Sequence, residues 1–291
     1  MAVSFNQIPS SIRVPLCYVE FDNSGALTST PVMEWRLLLV GQAAADCEGP
    51  LLTPTLITSA DQASRLWGQG SMLASMFRYA KRQGGILESW GLAVPDPEAA
   101  VAAGGDVTLS GACSASGVIS LYIGGERVRA LAQAGEALTV TAARLAATIN
   151  ENGELPVTAS TAEDQLGVIK LTCRWKGATG NDIDLQINYG TDDALPQGLR
   201  VACGSMSGGA GDPDMAAIVA ALGDTWWKAM SCPYLRKAER DILEEWLDAQ
   251  FGPLRQQGVV AVQVAAMVIE FESVTLVGAV ERLPVVGLRA E

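Results

Sequence analysis

Asp182 and Asp184 stand in the run Gly180-Asn-Asp-Ile-Asp-Leu-Gln186. If that run is a strand, alternation puts both carboxylates on one face. Such a pair suits acid–base work on a glycosidic bond or calcium binding. Polar residues leaving a turn explain the same letters without any ligand. The Gly-rich run Gly204-Ser-Met-Ser-Gly-Gly-Ala-Gly211 precedes a helical pattern, and helix amino termini attract phosphate. It has neither GxGxxG spacing nor a P-loop lysine, and Asp212 and Asp214 would repel an anion, so it reads as a linker. Glu163-Asp164 and Asp192-Asp193 read as solvated loop charges. Trp226-Trp227, adjacent in an apparent strand, would face opposite ways, one into the core and one toward another domain or subunit.

Composition narrows the chemistry further. The 291 residues include no histidine, which removes the usual general base and the commonest zinc ligand. The six cysteines lie at 17, 47, 113, 173, 203 and 232, with no CxxC pair, and read as small buried hydrophobes. The Met72, Met76 and Phe77 stripe is ordinary helix core. A net charge of −12 argues against nucleic-acid or anionic-membrane binding, which need a basic surface. No apolar run is long enough for a membrane-spanning helix, and the first residues lack a signal-peptide pattern, so the expectation is a cytoplasmic product. No catalytic constellation, cofactor site or metal site emerges.

The elements that would position these residues alternate in texture. Glu34 to Gly41 reads as a strand buried on both faces. Leu51 to Ile57 reads as a short strand, Ser59 as the cap of a first helix, Ser71 to Arg82 as a second helix and Ile86 to Val94 as a strand. From about 104 to 204 short Val/Ile/Thr/Tyr runs alternate with Gly, Asn and Asp, including a hairpin at Gly124-Gly125 and one helix near Thr141 to Asn150. Asp212-Pro213 then opens a helix, Asp224 to Ser231 reads as a strand, and Leu235 to Phe251 as an amphipathic helix. The reading is an α/β core domain with an inserted β-rich domain and an extended N-terminal edge strand. Its boundaries are an arm over 1–30, α/β segments over 31–95 and 212–265, the insert over 96–211, and a tail over 266–291. Residues 96–211 carry 13 acidic and 7 basic side chains, half of the chain's net charge, which predicts an outward-facing surface.

The order of segments resembles the tail sheath proteins of Mu-like contractile phages and prophages. The resemblance lies in Met1 to Ser24, Leu38-Leu-Val-Gly-Gln42, Ser120-Leu-Tyr-Ile-Gly-Gly-Glu-Arg-Val128, Gly177 to Tyr189, and Asp224-Thr-Trp-Trp227 through Phe251-Gly-Pro-Leu254. It runs over about residues 1–255, with 258–291 outside it. It implies a non-enzymatic virion subunit that forms stacked hexameric rings and a helical sheath around an inner tube. Contraction of that sheath would drive the tube through a bacterial envelope. Implied partners are further copies, the tube protein, and baseplate and terminator proteins. A competing reading is a carbohydrate-binding or glycan-cleaving tail-fibre module resting on Asp182, Asp184 and the tryptophans; a third is a prophage remnant that does not assemble.

The N-terminal segment carries an assembly expectation of its own. Residues 12–21 contain Pro15, which suits a strand to an edge, and follow no strict alternation. Tethered by 22–31, this strand is suited to join the sheet of a neighbouring copy through Ile12, Val14, Leu16, Tyr18 and Phe21.

Overall fold

The computed structural model describes residues 35–82, 88–161, 166–234, 236–263 and 275–277. In chain order its strands are β1 (Arg36–Gln42), β2 (Thr55–Leu56), β3 (Glu88–Val94), β4 (Ala102–Gly111), β5 (Gly117–Ile123), β6 (Glu126–Ala132), β7 (Val157–Thr161), β8 (Val168–Lys176), β9 (Leu185–Ile187), β10 (Leu199–Cys203), β11 (Ala229–Ser231), β12 (Val260–Gln263) and β13 (Thr275–Val277). The helices are α1 (Ala60–Trp67), α2 (Met72–Arg82), α3 (Leu138–Glu151), α4 (Met215–Leu222) and α5 (Lys237–Phe251). The strand expected over 12–21, with Ile12, Val14, Leu16, Tyr18 and Phe21, lies outside the described residues, as does most of the tail from 266.

One six-stranded sheet runs β13-β12-β11-β1-β3-β2. Its four inner strands are parallel, and β13 and β2 join antiparallel at the edges. At its centre β1 is a nearly continuous apolar run, as a strand covered on both faces requires. Leu38 and Val40 point into a core with Ile218, Leu222, Leu243 and Leu247 from α4 and α5. Leu39 points the other way, among Trp67, Leu73 and Phe77 of α1 and α2. Gly91 of β3 makes that second core possible, because a Cβ there would lie 2.4 Å from the Trp67 ring.

Residues 102–203 build a four-stranded antiparallel sheet, β10-β4-β8-β7, and a three-stranded one, β6-β5-β9. The β5–β6 hairpin turns at Gly124 and Gly125, both at positive φ as the predicted two-residue turn demands. Along β6 and β8 burial alternates residue by residue, so one face meets a core and the other meets water. That core contains Leu145 and Ile149 of α3 together with Met72 of α2. Helix α2 therefore serves two cores, Met72 entering this one while Leu73 and Phe77 enter the other. Arg78 adds an ion pair from α2 to Glu126 at 3.3 Å and another to Glu154 at 2.5 Å.

Several local expectations need correction. The strand expected over Leu51 to Ile57 shrinks to Thr55–Leu56, and that over Asp224 to Ser231 to Ala229–Ser231. Helix α4 is capped by Asp214, whose carboxylate accepts from the Ala216 and Ala217 amides, rather than by Asp212. Gly204–Gly211 is not a loose linker. Ser207 and Ala210 bridge to Gly104 and Val101, extending the antiparallel ladder. Glycine allows this approach, since a Cβ on Gly209 would lie 2.5 Å from the Gly177 carbonyl.

Candidate functional site

The carboxyl end of β1 delivers Gln42, 1% exposed, to the place where the six-stranded sheet meets residues from 96 and 176–182. Its amide suits a buried junction because it both donates and accepts. The nitrogen donates to the Lys176 carbonyl at 2.6 Å and to Asp96 Oδ1 at 3.1 Å. The oxygen accepts from the Thr179 hydroxyl at 3.3 Å, which in turn accepts from the Trp175 indole N–H at 3.1 Å. The Lys176 amide also donates to Asp96. Burial pushes the Asp96 carboxyl above its ordinary range, against the opposing pull of the Lys176 amide and charge and of Gln42.

Beside this junction lies a cavity of about 360 Å³. Strand order reverses between β1 and β11: the chain runs from β1 to β3 on one side, then returns to β11 on the other. The cavity opens beyond the carboxyl ends of those two strands, bounded by Gln42 and by Pro233 and Tyr234. Its charged lining is Asp182, Asp212, Arg236 and Glu239. Arg236 bonds Asp212 at 2.5 Å. Burial raises the Asp182 carboxyl, and the Arg236 charge acts against that rise. Glu239, in the first turn of α5, is only 6% exposed, and its Oε2 has no hydrogen-bond partner among the described residues.

The structure does not set Asp182 and Asp184 on one strand. Asp182 closes a 3-10 turn, Ala178–Asp182, and Asp184 precedes β9 with the buried Ile183 between them. Only Asp182 lines the cavity. Of the two carboxylates on which the glycan-cleaving alternative rests, the cavity therefore holds one. Trp227 is 2% exposed and packs edge-on to Trp90 at 5.7 Å, while Trp226 is 39% exposed. Both precede β11 rather than sharing a strand. Trp226 donates to the Gly258 carbonyl at 2.9 Å and carries the Lys228 ammonium over its ring.

Asp193 overturns the reading of loop charges as mere solvation. Its side chain is 6% exposed and accepts from Tyr122 at 2.6 Å, Ser120 at 2.9 Å and the Gly190 amide at 3.2 Å, with Arg127 at 3.6 Å. The Tyr122 bond, then those from Ser120 and Gly190 and the Arg127 charge, hold its carboxyl below the ordinary value. The signal was Ser120 and Tyr122 two apart on β5, a polar pair on one face. Cys113, Cys173 and Cys232 are buried as expected, whereas Cys47 and Cys203 are only half-buried and Cys17 lies outside the described residues; burial pushes the Cys173 and Cys232 thiols up to about 12. Among the described residues no group of three His, Cys, Asp or Glu side chains is placed to hold a metal ion, and no helix is long and apolar enough to cross a membrane.

No family profile matches the chain. It is 34% identical over 256 residues to the Mu-like prophage FluMu tail sheath protein of Haemophilus influenzae. The match takes in 88% of this chain and 52% of that protein, so the chain spans about half the length of the relative. Two solved sheath tail proteins give superpositions too distant to carry an argument. That of Listeria innocua has a TM-score of 0.32 at 9% identity, covering 82% of this chain and 49% of the other. That of Desulfitobacterium hafniense has 0.31 at 10%, covering 84% and 52%.

Proposed function

The chain belongs with the Mu-like prophage tail sheath proteins over the 256 residues that match, and from that kinship we propose that it is a structural, non-catalytic subunit of a contractile tail sheath. The carrying observation is the 34% identity sustained over 88% of the chain. Copies polymerise as stacked hexameric rings around an inner tube, and their rearrangement drives the tube through a bacterial envelope. The subunit is made in the host cytoplasm and resides in the virion tail, in contact with tube, baseplate and terminator proteins. Residues 96–211 act as an inserted β-rich domain on the outside of the assembly, a reading supported by their acidic excess. Neighbours are linked by strand exchange through Ile12, Val14, Leu16, Tyr18 and Phe21, a reading supported by Pro15 and the apolar content of that segment.

Negative-stain microscopy of the purified chain tests the role. Rings or tubes are expected, and a dispersed monomer or a trimer across all concentrations and salts overturns the reading. Removing residues 1–22 should leave a folded protein that no longer polymerises. Rings or tubes at the parent's concentration would refute strand exchange while leaving the sheath role intact.

A further inference from the structure

The cavity at the strand-order reversal plays no part in the sheath reading, yet its chemistry is one-sided. Three carboxylates line it, and its single cation, Arg236, is engaged by Asp212. Glu239 has no Lys or Arg nitrogen within 4 Å among the described residues. A buried carboxylate without a counter-charge is costly, and its field acts through a region of low dielectric. The neutral polar lining, Gln42, Thr179 and Asn181, is held by hydrogen bonds of its own, from Thr179, Trp175 and Gly209 respectively, and brings no positive charge. Cavities of this size at the carboxyl ends of parallel strands where the order reverses are the usual ligand position in such sheets.

We infer that this cavity binds an organic cation bearing N–H donors, a guanidinium or primary ammonium group, with Asp182 at its mouth and Glu239 supplying the compensating charge from its wall. Charge alone is insufficient, because the unpartnered Glu239 Oε2 and the Asp182 carboxylate accept directed N–H bonds that a quaternary ammonium cannot give. Bound there, the cation would tie the end of β1, the turn at Ala178–Asp182 and the start of α5 together, joining the six-stranded sheet to the region 102–203.

The test is calorimetric titration of the full chain with methylguanidinium chloride, and with tetramethylammonium chloride at equal ionic strength. Saturable binding is expected for methylguanidinium and none for tetramethylammonium. Glu239→Gln should weaken binding at least tenfold, and Asp182→Asn severalfold. Thermal melting checks that Glu239→Gln folds; should it not, Asp182→Asn, at an exposed position, carries the test alone. The inference is overturned by absence of methylguanidinium binding, by equal binding of tetramethylammonium, or by undiminished binding in the folded variants. Sedimentation with methylguanidinium distinguishes two sources of the group. Dissociation of self-associated chains identifies a basic side chain of a second copy, and an unchanged distribution identifies a free cation. Binding is read on whatever oligomer the chain forms, so its failure is separable from failure of the sheath reading.

Discussion

The six-stranded sheet and the paired antiparallel sheets of 102–203 hold themselves together by different means. In the first, β1 and β3 lie in register over seven residues and both faces of β1 are covered by helices, so apolar burial dominates. In the second, alternating strands leave a wet face, and side-chain clasps fasten the loops that cross it. Asp193 holds its loop to β5, and Glu136 holds the start of α3 to Arg144 at 2.5 Å, with its carboxyl lowered to about 2 chiefly by that bond. Both regions should respond to changes of volume, the second also having a large apolar core, and the second should respond in addition to charge and pH.

Leu38→Ala should strike hardest. It removes a fully buried side chain between β1 and the α4–α5 layer, at an expected cost of about 2–5 kcal/mol by urea unfolding, with little dependence on pH. A loss below about 1 kcal/mol would show that the helical cover is not what holds this sheet.

Asp193→Asn should cost less and should behave in the opposite manner with pH. The folded carboxyl lies below the ordinary 3.8, so its contribution is present above that value and fades as pH falls through the folded value. Parent and variant melts should therefore separate at pH 7 and converge at strongly acid pH. A constant gap across that range would mean that shape, not charge, is what Asp193 supplies.

Asp96→Asn should have the smallest effect, with reversed sign. A carboxyl raised by burial binds its proton more tightly when folded, so the parent loses stability as pH rises from 3.8 through the raised value. The variant should lack that decline and stay within about 1 kcal/mol of the parent at pH 7. A parent curve that is flat in this window would put Asp96 outside the balance at the junction.

Local signals made much of this contrast readable in the chain itself. The apolar run of β1, the Gly124-Gly125 turn, the Ser59 cap and the 3.6-residue spacing of α2 all act over a few residues, and each element formed where expected. Long-range pairing was not readable. Gly204–Gly211 joins a ladder whose partners lie a hundred residues upstream, and the 3-10 turn that ends at Asp182 takes the place of the strand expected to carry Asp182 and Asp184 on one face. The cavity draws on four separate segments, so no local spacing announces it. The five arm residues on which the proposed strand exchange rests lie outside the described residues.

The parallel pairing of Leu37 with Ala229 also constrains the order in which the sheet can form. During translation β1 and β3 can meet once residue 94 has emerged, but the other flank of β1 stays open until the whole of 102–203 and α4 have left the ribosome. Contacts of such sequence separation close slowly, and an exposed apolar strand is meanwhile a template for pairing with other nascent chains. Within the antiparallel sheets only the β5–β6 and β7–β8 pairs are local, while β4 must wait for β8 and β10 and β5 for β9. The interval before β11 arrives is thus an aggregation-prone stage of folding for this sheet.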